Sequence, residues 1–280
     1  MRETSNPVFR SLPKQQGGYA QFGTGAAGFG AQQMQQHAPE YLDQQQAGVS
    51  RPLTIDDVVT KTGITLAVLS AVAVVSYFLV SGNLGLATPF ALIGGLGGLA
   101  LVLVATFGRK QDNPAIVLSY AALEGLFLGA VSFIIANVAS VGGPGMIAQA
   151  VVGTMGVFFG MLVVYKTGAI RVTPKFTRMI VAAMFGVLAL MLLNFVLAMF
   201  GVGGGAGMGL RDGGMMAIIF SLVCIGIAAF SFLIDFDAAD QMVRAGAPEK
   251  AAWGIALGLT VTLVWLYIEI LRLLSYFNND

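Results

Sequence analysis

Four ionisable side chains stand inside long apolar runs of this sequence: Glu124, Asp235, Glu269 and Arg272. A charge at the centre of hydrocarbon costs roughly 2 to 3 kcal/mol on insertion scales, so such groups face a protein interior or water and are the first functional candidates. A carboxylate there can hold a proton, pair with a cation or line a path for one. Glu269 and Arg272 are spaced i, i+3 on one helical face, where they can satisfy each other as a structural ion pair. Glu124 can be satisfied more simply, as a protonated carboxyl bonded to a backbone carbonyl. Asp237 and Asp240 follow Asp235 at the rim of its run, and Asp240 reads as an ordinary solvated loop charge.

Missing residues narrow the chemistry further. His37 is the only histidine and lies in a polar tail, so a Ser-His protease, a His-ligated haem and a His-rich zinc site each lack their key group. Cys224 is the only cysteine, which rules out an intramolecular disulfide or a thiolate cluster. No lysine occurs between Ala251 and Phe277 to form a retinal Schiff base. The glycine run from Gly201 to Gly209 is not followed by Gly-Lys-Ser/Thr and is no phosphate loop; it reads as a flexible connection. No enzymatic activity and no resident cofactor are expected.

The elements that must position these residues follow from composition. Of 280 residues 56% are apolar and only 10% charged, against roughly a quarter charged in soluble domains. The net charge of +1 gives no reason to expect a nucleic-acid partner. Asking for about 20 hydrocarbon-compatible residues each yields seven runs, at 62–80, 84–107, 114–138, 146–165, 179–200, 215–235 and 251–277. The expected architecture is an all-α, polytopic bundle of seven transmembrane helices in residues 53–280, with the lipid bilayer as its main partner. Residues 1–52, rich in glutamine and glycine, cannot bury enough apolar surface to order themselves and are expected to be a disordered tail. No apolar segment typical of a cleaved signal precedes span one. A short helix start is expected near Leu53, with Thr54 as its N-cap and acids in the first turn.

Basic residues set the orientation. Arg2, Arg10, Lys14, Arg51 and Lys61 precede span one; Arg109 and Lys110 follow span two; Lys166, Arg171, Lys175 and Arg178 follow span four; Arg244 and Lys250 follow span six. Only Arg211 and Arg272 fall elsewhere, so the positive-inside rule places the N-terminus in the cytoplasm and the C-terminus outside. Four small-residue pairs, Gly94/Gly98, Gly125/Gly129, Gly156/Gly160 and Gly254/Gly258, are expected to bring helix backbones together.

Leu123-Glu124-Gly125-Leu126 on span three, Leu233-Ile234-Asp235-Phe236 ending span six and Leu266-Tyr267-Ile268-Glu269 on span seven together resemble the Bax inhibitor-1 family over about 53–280. Asn6-Pro7 with the long Gln/Gly tail resembles a bacterial branch. The resemblance implies a central last helix wrapped by two three-helix groups. It also implies a pH-sensitive cation leak of the plasma membrane, with Ca²⁺ as transported ion and H⁺ as regulator. By motif, the carboxylate pair that senses the proton is Asp235 with Glu269, and Glu124, Asp237 and Arg272 are further candidates for the ion path. Two carboxyls in one desolvated site cannot easily both ionise, so the pair would hold one proton between them. Deprotonated, Asp235 and Glu269 would offer the hard oxygen ligands that suit Ca²⁺. The alternative is a non-conducting regulator that binds a membrane protease or another envelope protein. Intramembrane aspartyl proteolysis would need a second aspartate where Glu269 stands.

Overall fold

The computed structural model describes residues 51–138 and 142–278. The expected disorder of the tail therefore concerns residues that lie almost wholly outside those described. Among the described residues seven helices are long and apolar enough to cross a membrane: α1 Ile55–Gly82, α2 Ala87–Phe107, α3 Pro114–Phe133, α4 Gly143–Thr167, α5 Pro174–Met199, α6 Met215–Arg244 and α7 Ala251–Phe277. A 3₁₀ turn, Leu84–Leu86, leads into α2, and a π-helical turn, Ile134–Val138, continues α3.

Local chemistry explains where the helices begin and end. Thr54 caps α1 as expected: its side chain accepts from Asp57 N, and Asp57 in return accepts from Thr54 N. Prolines at the first helical position and capping side chains at Asn113 and Thr173 start α3 and α5. Gly168, at φ 67°, takes the left-handed conformation that stops α4. The expected end of span six at 235 is corrected, because α6 runs on to Arg244. Beyond the apolar run, Gln241 Nε2 donates to Asp237 at 2.6 Å and Arg244 pairs with Asp240 at 2.7 Å. These i, i+4 pairs carry the helix on without hydrophobicity, so Asp237 and Asp240 are helical rather than loop residues.

The last helix has the most buried apolar stretch, 56% against 11% for α5. It packs against α1, α3, α4 and α6, while α2 packs on α3 and α5 chiefly on α6. Small residues make part of this possible. A Cβ on Gly125 or Gly129 would collide with α1 at Leu69 O and Ala73 O, and one on Gly94 would collide with α3 at Leu123 O. The other expected contacts are corrected: Gly156, Gly160 and Gly258 have open space where a Cβ would sit, and Gly254 faces the Gln111 side chain, not a helix backbone.

The connections gather at two ends. At one, Leu53 N donates to Ala247 O at 2.8 Å and Glu249 N to Arg51 O at 2.9 Å, forming an antiparallel bridge between Pro52 and Pro248. Lys61 pairs with Glu249 at 3.0 Å. Arg51 donates to Asp57 at 2.7 Å, and that hydrogen bond holds its guanidinium above the ordinary arginine value. At the other end the α5–α6 loop meets the last turns of α7, with Gly213 beside the Tyr276 ring. The loop is fastened to α5, since Asn194 Oδ1 accepts from Met208 N at 2.7 Å.

Candidate functional site

Asp235 lies nine residues before the end of α6, half-buried against α7. The antiparallel pairing of these helices sets it level with Thr262, whose hydroxyl donates to Asp235 Oδ2 at 2.8 Å. Among the described residues Asp235 has no cationic partner. An acid within a spanning helix normally faces the bundle interior or water, as Asp235 does toward α7.

Glu269 sits two helical turns further along α7, and at 1% exposure it is the most buried charged side chain among the described residues. Arg211 reaches it from the α5–α6 loop with a two-pronged contact, Nη1 to Oε2 at 3.2 Å and Nη2 to Oε1 at 2.9 Å. The guanidinium also lies 5.3 Å from the centre of the Phe220 ring. Arg272, the partner expected from sequence, stands at 3.5 Å from Oε1. The bidentate geometry makes Arg211 the main partner.

The two expected pH-sensing carboxylates are therefore not brought together. Asp235 bonds to Thr262 and Glu269 to Arg211, and the seven residues from Thr262 to Glu269 correspond to about 10 Å along the helix. The expectation of one shared proton, and of Asp235 with Glu269 as joint metal ligands, is corrected on this geometry. Among the described residues no three His, Cys, Asp or Glu side chains gather as a metal site.

Glu124 joins neither group. It points from α3 to Gly98 of α2, whose missing Cβ makes the room for its Oε2, and it has no hydrogen-bond partner among the described residues. Asp237 belongs to the end of the bundle that holds Lys61 and Glu249. There Tyr165 OH lies 3.4 Å from Asp237 and 3.3 Å from Asp240, so α4 and α6 are tied through one hydroxyl.

Two residues that partner the buried acids, Arg211 and Thr262, are not singled out by the sequence. Arg211 left one signal, as the single cation of its connection, facing a chain end that carries a buried acid. Thr262 left none, because threonine in an apolar helix is common and satisfies itself on the preceding turn, as Thr260 does with Ala256 O.

Comparison with known families decides the affiliation. The family model described as Bax inhibitor 1 like matches residues 6–279, nearly the whole chain. The protein belongs to the Bax inhibitor 1 like family. No curated protein matches the sequence. The family match begins within the Gln/Gly-rich segment, so it extends further toward the N-terminus than the three motifs do. As a family member, this multi-pass membrane protein carries its motif acids Glu124, Asp235 and Glu269 on three different helices.

Proposed function

We propose that this Bax inhibitor 1 like protein is a pH-sensitive cation leak of a bacterial plasma membrane, with Ca²⁺ among the ions passed, rather than an enzyme. The N-terminus lies in the cytoplasm and the C-terminus outside. The observation that carries the reading is Asp235: a carboxylate within the spanning bundle, held by one hydroxyl of the central helix and by no cation among the described residues. Its charge is available to an ion or to a proton, and the two compete. Glu269, by contrast, is already neutralised by Arg211, which makes the Glu269 level a closed end and the Asp235 level the ion-binding one.

The signs follow from this competition. A protonated Asp235 offers no charge to a cation, so flux through the wild type rises as pH increases through its titration. Asp235→Asn removes the titrating group, and calcium entry into dye-loaded liposomes should fall severalfold and lose its pH dependence. Wild-type liposomes that leave the dye silent at every pH would sink the leak. The non-conducting regulator is the reading that remains in that case. It is favoured by α5, which packs chiefly on α6 and leaves Phe185, Leu192 and Phe195 exposed to lipid or to a protein neighbour.

A further inference from the structure

A cavity of about 460 Å³ opens between α5, the α5–α6 loop and the last turns of α7. Four polar side chains line it: Asn194, Arg211, Asp212 and Arg272. Their hydrogen bonding is unequal. Arg211 directs both Nη atoms at Glu269. Asp212 Oδ1 accepts from Gly214 N at 3.1 Å, closing the turn before α6, and Asp212 forms no ion pair with either guanidinium. Asn194 Oδ1 is held by Met208 N, which leaves the two donors of its amide nitrogen without an acceptor among the described residues.

Arg272 is the least satisfied of the four. Among the described residues the only carboxylate within ion-pair reach is Glu269, at 3.5 Å, and both oxygens of that group already accept from Arg211. Its guanidinium makes no hydrogen bond among the described residues, and a quarter of the side chain is exposed. Both guanidiniums lean on Glu269, while Asp212, the carboxylate lining this cavity, pairs with neither, so the charges balance in number but the Arg272 fork is left without a bonded acceptor among the described residues. The N–H donors of a rigid fork thus face a cavity of ligand size whose wall is part polar and part apolar.

We propose that this vestibule binds a phosphate-type oxyanion, gripped by the fork of Arg272 with the Asn194 amide as a second donor. The planar guanidinium matches two oxygens of a tetrahedral phosphate, and the bond is charge-assisted. Free inorganic phosphate and the phosphate of a lipid headgroup share this chemistry. On the α5 side the lining turns apolar, with Phe195 exposed, so the site has room for the carbon skeleton of a lipid beside its headgroup.

The test uses the full chain in detergent, with two probes and a control for each. Sodium phosphate is compared with chloride at equal ionic strength. Dioleoylphosphatidylglycerol is compared with dioleoylglycerol, which has the same chains and no phosphate. Thermal melting and native mass spectrometry read the binding. Stabilisation by phosphate identifies a free oxyanion, whereas retention of the phospholipid alone identifies a headgroup; both support the site. Arg272→Gln should weaken the successful probe by about tenfold or more, the scale of a charge-assisted pair. Arg272→Lys keeps the charge without the fork and should recover only part. Asn194→Asp keeps the acceptor that holds Met208 but replaces the donors by a charge, and should weaken binding as far as Arg272→Gln; it decides the matter if the arginine variants do not fold. Wild type that responds to neither probe beyond its control, or variants that bind as tightly as wild type, would overturn the proposal.

Discussion

Arg211 and Glu269 show how much one contact carries at the scale of a residue. A fully buried carboxylate that loses its partner costs roughly 3 to 5 kcal/mol, far more than a surface pair is worth. Arg211→Gln leaves Glu269 with Arg272 at 3.5 Å as its remaining cation. The expected loss is therefore about 2 to 3 kcal/mol, somewhat below full orphaning. Glu269→Gln added to Arg211→Gln should cost less than the two single changes summed, because the second removes a charge that the first has stranded. Melting temperatures of the four proteins in one detergent measure this directly, and additive losses would mean the pair contributes nothing as a pair. The contact was not legible in the sequence. Glu269 is marked by its setting, an acid in an apolar run, but its partner is 58 residues away, beyond a glycine-rich connection with no periodicity to fix its path. Arg272 is the nearer cation along the chain, yet a helical i, i+3 spacing makes contact possible without making it the better geometry.

Helices were legible where hydrophobicity alone builds them, and misread where polar side chains do so. Span seven matches α7 at both ends, since its apolar run and its helix coincide. Span six was cut short at Asp235 because a hydropathy window cannot see Asp237 with Gln241, or Asp240 with Arg244, holding a further two turns. Asp235 therefore stands inside α6, at a level facing Thr262, rather than at its rim. Small-residue spacing likewise shows that two backbones can approach, not that they do. Gly129 lies against Ala73 and Ser76 of α1, whereas Gly156 faces open space. Gly129→Val should thus force α1 and α3 apart and cost about 2 kcal/mol or more, while Gly156→Val should stay within about 0.5 kcal/mol of wild type. Equal stabilities of the two variants would mean that the α1–α3 contact is not close-packed.

The molecule as a whole places its basic residues and its connections in agreement. The segments that carry Lys61, Lys166, Arg244 and Lys250 lie at one end of the bundle, joined by the Lys61–Glu249 pair and the Tyr165 contacts, while Arg211 lies at the other with the end of α7. A reporter fused after Asp280 should read external, and fusions after Lys110, Arg178 or Lys250 internal; an internal C-terminus would remove one crossing. The same end of the bundle limits how far the chain can be shortened. Removing residues 1–50 should leave folding, and any ion flux, nearly intact, since among the described residues the bridge to the α6–α7 connection is made from Arg51 onward. Removing residues 1–54 takes away that bridge, the Arg51–Asp57 pair and the Thr54 cap together. The cap alone is worth about 1 kcal/mol, so the longer deletion should melt several degrees lower in the same detergent.

A helix that touches four others and stands last in the chain also imposes an order of events on biosynthesis. Synthesis runs from the N-terminus, so six helices enter the bilayer before α7 leaves the ribosome. Until it arrives, Ser132 waits for Tyr267, Asp235 for Thr262 and Arg211 for Glu269. A chain stalled before Ala251 thus holds Arg211 and Asp235 without the partners that α7 supplies, and its first segment has no α6–α7 hairpin to grasp. The half-made protein is marked by polar groups that only the last helix satisfies.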